Sequence, residues 1–178
     1  MKKPHIFLDL DETCISAVEV RSKTPAKAPN LKSFQLFYGG VLNFVVYKRP
    51  YLDEFLATCF KLANVSFWSA GEKQYVIDIV SNIVDPAHYK DIRLILWRDH
   101  CLQSNKNTST LKSIQWLAEK IPNMPELLGT DIVLLDDLAD NTIFNGIYGF
   151  NVPAFNSSDE DAAQDTTLLR LAETLKQY

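Results

Sequence analysis

Apolar positions along this chain follow two rhythms. Short runs dense in Ile, Val, Leu and Phe occur at Ile6-Phe7-Leu8, Val65-Ser66-Phe67-Trp68, Ile92-Arg93-Leu94-Ile95-Leu96 and Ile132-Val133-Leu134-Leu135. Near-continuous runs of that length suit strands covered on both faces. Between them the spacing turns helical: residues 51–63 set Leu52, Phe55, Leu56 and Phe60 on one face, and residues 72–83 do the same with Val76, Ile79, Val80 and Ile83. A third helix is predicted over 109–121, ended by Pro122, and a fourth over 159–175, where Ser158 and Asp161 make a weak capping signal. Strands and helices in alternation predict an α/β fold with a mainly parallel central sheet.

Residues 17–49 break the rhythm. Their polar, proline-bearing part (23–29) precedes Phe34-Gln35-Leu36-Phe37-Tyr38 and an apolar run over 42–47, which flank Gly39-Gly40, a two-residue hairpin signal. The expectation is a small β-hairpin flap inserted after the first strand.

Composition adds bounds. A length of 178 residues suits a single domain over 1–178, and 47% apolar with 22% charged residues is an ordinary globular balance. Lys plus Arg number 18 against 22 Asp plus Glu, a net charge of −4, so no broad basic field invites nucleic acid. No apolar stretch reaches a membrane span of roughly 18 residues, and Met1-Lys2-Lys3-Pro4-His5 does not open a signal peptide. Cys14, Cys59 and Cys101 show neither even number nor C-x-x-C spacing, which points to a reducing compartment. The expected protein is intracellular and soluble, without membrane or direct nucleic-acid contact.

The strongest local feature is Phe7-Leu8-Asp9-Leu10-Asp11-Glu12-Thr13, an apolar run ending in two aspartates one residue apart. At strand spacing the two carboxylates share a side, and ligands of open α/β sheets bind at the carboxyl ends of strands. A turn and helix cap would read the same. A second acidic pair, Asp136-Asp137, follows the last strand run; if the two strands are neighbours, four carboxylates gather into an oxygen-rich site of the kind that suits Mg²⁺. Ser69-Ala70-Gly71 after another strand is either an anion cradle or an ordinary N-cap. Lys112 near the start of the third helix and Arg98 after the third strand run complete the candidates.

Other chemistries fail on spacing. Cys14 and Arg21 have six residues between them where a cysteine phosphatase loop needs five, and Phe67 stands where a nucleophile elbow needs its first glycine. No phosphate-binding glycine loop is present, and His5, His88 and His100 are too scattered for a histidine metal site.

Taken in order, Asp9-Leu10-Asp11-Glu12-Thr13, the Lys48-Arg49-Pro50-Tyr51-Leu52-Asp53-Glu54-Phe55-Leu56 run, Trp68-Ser69-Ala70-Gly71 through Tyr75, Trp97-Arg98-Asp99-His100-Cys101, Lys112 and Leu135-Asp136-Asp137 resemble one family. It is the small RNA polymerase II carboxy-terminal-domain (CTD) phosphatases, FCP/SCP-like and NLI-interacting-factor-like, of the haloacid dehalogenase superfamily. The resemblance covers residues 5–155 and implies a three-layer Rossmann-like fold. It also implies a Mg²⁺-dependent protein serine/threonine phosphatase working through an aspartyl phosphate on a phosphoprotein or phosphopeptide.

Residue by residue, the resemblance makes Asp9 the nucleophile, Asp11 the general acid and base, and Thr13 the support of their loop. Ser69, standing where the family has threonine, and Ala70 would meet the phosphate, Lys112 would neutralise it, and Arg98 would contact substrate. Asp9, the main-chain carbonyl of Asp11, Asp136 and Asp137, the last directly or through water, would hold Mg²⁺. Residues 102–111 run long for the family, which makes Lys106 a rival of Lys112, and Cys14 replaces an aliphatic residue. The competing expectations are a phosphatase for nucleotides, nucleic-acid ends or metabolites and a catalytically silent binding module. The short flap favours the protein substrate. A monomer is expected, in nucleus or cytoplasm, of cellular or viral origin.

Overall fold

The computed structural model describes residues 3–21, 30–104, 110–120 and 131–177. Among the described residues, eight strands make two sheets. The larger contains β1 (His5–Leu8), β5 (Asn64–Trp68), β6 (Ile92–Leu96), β7 (Ile132–Asp136) and β8 (Gly149–Asn151), in the order β6-β5-β1-β7-β8 with every pair parallel. The smaller holds β2 (Ile15–Glu19), β3 (Ser33–Tyr38) and β4 (Val41–Lys48), antiparallel in the order β2-β4-β3.

Alternation along the central strands divides the core. Ile6 and Leu8 join one apolar cluster with α1 (Leu52–Leu62), α2 (Lys73–Ile83) and α6 (Thr167–Leu175); Phe7, Trp68 and Leu134 join another with α3 (Arg98–Ser104) and α4 (Ile114–Lys120). Since neighbouring residues of a strand point to opposite faces, these clusters are the two sides of one sheet, and the fold has three layers. The buried positions of α1 and α2 are those the spacing predicted, with Cys59 added to α1. Among the described residues no helix is long and apolar enough to cross a membrane.

Several expectations need correction. The flap is a three-stranded sheet and no simple hairpin, because Ile15–Glu19 pairs with β4 as well; Gly39 and Gly40, both at positive φ, turn β3 into β4 as expected. Lys112 lies in a segment without regular structure just before α4, whose start is Ile114, with Ser113 Oγ accepting from Trp116 N at 3.1 Å as its cap. The last helix begins at Thr167, since residues 159–165 form turns and a 3₁₀ segment; Asp165, not Ser158, receives the Thr167 amide at 2.7 Å. Two helices of seven residues, α3 and α5 (Ala139–Asn145), and the edge strand β8 were not anticipated. Lys106, Ser109, Ile121 and Pro122 lie outside the described residues.

The topology prepares a site. From β1 the chain moves outward through β5 to β6, then returns to place β7 on the opposite side of β1. Ligands of such sheets bind where the strand order reverses, beyond the carboxyl ends. Here that point lies between β1, followed by Asp9, and β7, which ends in Asp136.

Candidate active site

Asp9 leaves β1 still bound to its neighbour, its amide donating to the Leu135 carbonyl at 3.0 Å. The next residues form a tight loop: Cys14 N and Ile15 N both reach Leu10 O, and Glu12 takes a left-handed φ of 59°. For a residue with a Cβ that conformation costs about 1–2 kcal/mol, so the surroundings must enforce it. They do so from two sides. Phe155 N donates to Glu12 O at 2.6 Å, and the buried Arg49 donates to Thr13 O at 3.0 Å.

Around that loop the carboxylates separate into two environments. Asp9, buried, accepts from Thr13 Oγ1 at 3.1 Å and from the Lys112 ammonium, which also lies 2.6 Å from Asp136 Oδ2. Thr13 Oγ1 further joins Asp137 through the Asp137 amide at 3.1 Å. Asp11 stands apart. Its Oδ2 accepts from Ser69 Oγ at 3.2 Å and its Oδ1 from the Tyr75 hydroxyl.

Lys112 is held by side-chain amides of α5. Asn141 Oδ1 accepts from Lys112 N at 2.9 Å, Asn145 Nδ2 donates to Lys112 O at 2.7 Å, and Asn145 Oδ1 accepts from Ile114 N at 2.9 Å. Spaced one helical turn apart, the two asparagines grip the backbone on both sides of Lys112. Asn141 Nδ2 also reaches Asp136 Oδ2 at 3.0 Å, and Asp136 Oδ1 accepts from Leu138 N at 2.9 Å.

The electrostatics follow from this crowding. Burial pushes the Asp9 carboxyl well up, Lys112 opposes that, and the charges of Asp136 and Asp11 add to it. For Lys112 burial alone would favour loss of the proton, but Asp9 and Asp136 outweigh it and keep the ammonium charged. Burial and the neighbouring Asp136 likewise raise Asp137. Burial, then the charge of Asp11, pushes the Tyr75 hydroxyl up, so at neutral pH it is a donor.

Carboxylate oxygens of Asp9, Asp136 and Asp137 lie within 4.8 Å of one another. Among the described residues, the four carboxylates of this site meet one ammonium, Lys112, and the excess of negative charge suits a hard divalent cation with oxygen ligands. The Asp11 carboxylate is not part of that cluster, being taken by Ser69 and Tyr75.

On the β5 side, Ser69 is buried, donates to Asp11 and accepts from Gly71 N at 2.9 Å. Arg98 supports the same turn, its Nε donating to Ala70 O at 2.9 Å and its guanidinium meeting Glu72 at 3.2 Å. Asp9, Asp11, Thr13, Ser69, Lys112, Asp136 and Asp137 thus converge, with Ala70 and Arg98 beside them. Sequence reading gave no role to Tyr75, Asn141, Asn145, Arg49 or Asp165. Tyr75 and Arg49 stood inside the motifs that carried the resemblance; the asparagines had no signal beyond following Asp136 on a helix too short to foresee.

The profile of the NLI interacting factor-like phosphatase family matches residues 4–178. The chain belongs to that family. A CTD phosphatase-like protein 355R of Invertebrate iridescent virus 6 is 29% identical over 98% of both chains, and its counterpart in Invertebrate iridescent virus 3 is 29% identical over 99% of this chain and 97% of that one. The CTD small phosphatase-like protein 2 of Dictyostelium discoideum is 28% identical over 73% of this chain and 22% of its own length. Among solved structures, Fcp1, an essential RNA polymerase II CTD phosphatase, superposes with a TM-score of 0.59 at 20% identity over 97% of this chain and 49% of that one. A fission yeast Fcp1 variant bound to beryllium fluoride gives the same TM-score and identity over 99% and 51%. The chain spans about half the length of the Fcp1 chains, and the likeness bears out the α/β fold with a mainly parallel central sheet.

Proposed function

We propose that this phosphatase-family chain hydrolyses phosphoserine and phosphothreonine in proteins through an aspartyl phosphate on Asp9, with Mg²⁺ at Asp9, Asp136, Asp137 and the main-chain carbonyl of Asp11. The carrying observation is the split between the two aspartates. Asp9 faces Lys112 and the acidic cluster, whereas Asp11, two residues on, hangs from the hydroxyls of Ser69 and Tyr75. Carboxylates in such different settings take different roles, one as nucleophile and one as proton carrier.

Each remaining residue has its part. Asp9 attacks phosphorus as the bond to the leaving oxygen breaks, and Asp11 passes its proton to that oxygen. Asp11 then takes a proton from water, whose oxygen attacks the aspartyl phosphate and releases phosphate and Asp9. Lys112 and the Ser69 hydroxyl stabilise the charge on the phosphoryl oxygens, and Thr13 keeps Asp9 in line. Mg²⁺, when bound, offsets charge on the same oxygens. Arg98 extends the site toward longer ligands.

Protein substrates are favoured by the flap. Three strands supply too little chain to enclose a small ligand, and Phe37 is 57% exposed while Phe44 lies edge-on to Tyr75 at 5.5 Å, beside Asp11. Aromatic surface beside a phosphate site suits an extended, proline-containing peptide. The names of the relatives and of Fcp1 agree with a CTD-like substrate. The test is a Mg²⁺-dependent activity screen of wild type and Asp9→Asn. Phosphoserine-proline peptides should be turned over with higher kcat/KM than proline-free peptides, nucleotides or sugar phosphates, and Asp9→Asn should be inactive yet folded. A nucleotide or sugar phosphate that outperforms every peptide transfers the assignment to a small substrate.

A further inference from the structure

Both oxygens of the Asp11 carboxylate are occupied, each by one hydroxyl, and the two donors have different prospects once substrate arrives. Ser69 follows β5 directly and lies on the side where a phosphoryl group would sit against Asp9 and Lys112. Its hydroxyl proton can turn to a phosphoryl oxygen, which strips Oδ2 of its donor. Tyr75 has no such alternative. Its ring is trapped between the β5–α2 turn and the flap: a Cβ on Gly71 would stand 2.7 Å from Tyr75 Cδ1, and Phe44 meets the ring edge-on at 5.5 Å, itself backed by Tyr38 at 6.4 Å. Only glycine at position 71 leaves space for that ring.

We propose that Tyr75 is the positioning residue of the proton-transfer steps: its hydroxyl anchors Oδ1 of Asp11, so that Oδ2, released by Ser69, is the oxygen that gives and takes the proton. The assignment rests on the reading of Asp11 as general acid and base. In the first step a bond forms between a carboxylate oxygen of Asp9 and phosphorus, the bond from phosphorus to the leaving oxygen breaks, and the proton on Oδ2 moves to that oxygen. In the second, Oδ2 recovers a proton from the attacking water. Tyr75 keeps its own proton throughout. Because general acid catalysis contributes about 10²–10⁴ and depends on reach of about 3 Å, a carboxyl free to swing loses much of it.

The same chain of contacts ties the flap to the chemistry. Tyr38 and Phe44 belong to the sheet that would meet a peptide, and Phe44 touches the ring that holds Asp11.

The experiment compares leaving groups. Dinitrophenyl phosphate departs without a proton, whereas phenyl phosphate and a phosphoserine peptide need one. With Mg²⁺ present, kcat/KM reports the chemistry up to phosphoryl transfer. Tyr75→Phe, which keeps the ring, should lower kcat/KM for phenyl phosphate and the peptide by about 10- to 100-fold while dinitrophenyl phosphate changes by about 2-fold or less. Gly71→Ala, which displaces the ring, should give the same discrimination, and Asp11→Asn a larger one. Thermal melting of each variant gives the folded fraction to which the rates are referred; a merely structural role would lower all substrates alike. Equal losses, or none, in Tyr75→Phe while Asp11→Asn still discriminates overturn the assignment of Tyr75 and leave Asp11 its role. Loss of discrimination in Asp11→Asn itself overturns both.

Discussion

Lys112 Nζ lies 2.6 Å from Asp136 Oδ2, joining the segment before α4 to the end of the strand beside β1. With Asp9 on its other side the ammonium is shared between a proposed nucleophile and a proposed metal ligand, and all three side chains are buried. Removing it leaves two carboxylates facing each other without a counter-charge. Lys112→Met, which keeps most of the stem, should lower kcat for p-nitrophenyl phosphate by about 10²–10³, while Lys106→Ala stays near the wild-type rate. The reverse ranking of the two lysines would overturn the assignment.

The acidic cluster makes metal binding and stability two readings of one site. Mg²⁺ at about a hundredfold excess over its dissociation constant should stabilise the fold by about 2.7 kcal/mol, a rise in Tm of about 5–10 °C. Asp136→Asn should flatten that rise and raise the Mg²⁺ concentration for half-maximal activity. Calorimetry with and without chelator is the measurement, and an unchanged Mg²⁺ shift in Asp136→Asn counts against the cluster as the metal site.

Arg49 and Asp165 supply a second test. The buried guanidinium donates to Asp165 Oδ2 at 2.8 Å and to the loop carbonyl of Thr13. Burial would raise the Asp165 carboxyl, but Arg49 and the Thr167 amide outweigh it and hold it below its ordinary value. A depressed carboxyl stabilises the fold above its unfolded value of 3.8 and loses that contribution as pH falls through the folded value. Asp165→Asn should cost about 3 kcal/mol at neutral pH, or about 6–12 °C in Tm. The difference from wild type should shrink toward pH 2. Constancy of that difference across the acid range would show that the pair is not ionic.

His5 gives the opposite side of the titration curve. It is buried in β1, Nε2 paired with Ser66 Oγ at 2.8 Å and the ring stacked 4.5 Å from Phe7; burial, with Arg93 as a smaller cause, lowers it from 6.5 to about 4. The neutral ring is native and the unfolded chain takes the proton first. Its contribution is therefore complete above pH 6.5 and drains away as pH falls toward 4, by about 3 kcal/mol in all. In His5→Phe the unfolding free energy should be flatter over that window. Equal slopes in variant and wild type would show that His5 titrates normally.

What the sequence made legible was decided by side-chain burial. Ile6, Phe7 and Leu8, or Val65 to Trp68, are covered on both faces, so their composition alone announces a central strand. β8 has one apolar residue in three, Phe150, and lies at an edge where little needs covering. α3 and α5 run for only seven residues, less than a readable amphipathic period. The acidic members of the site were visible because Asp9 and Asp11 end one apolar run at strand spacing and Asp136 and Asp137 end another. Tyr75 and Asn141 were not, since their contacts reach across 64 and 29 residues and no local spacing encodes them.

The asparagine grip on Lys112 also bears on how this chain can change in length. A lysine carried on a helix would move with every residue added before it. Here Asn141 and Asn145 fix the backbone on both sides of Lys112 from α5, an element that lies after it in the chain. The position of the ammonium is therefore set from α5 and does not depend on how many residues separate α3 from Lys112.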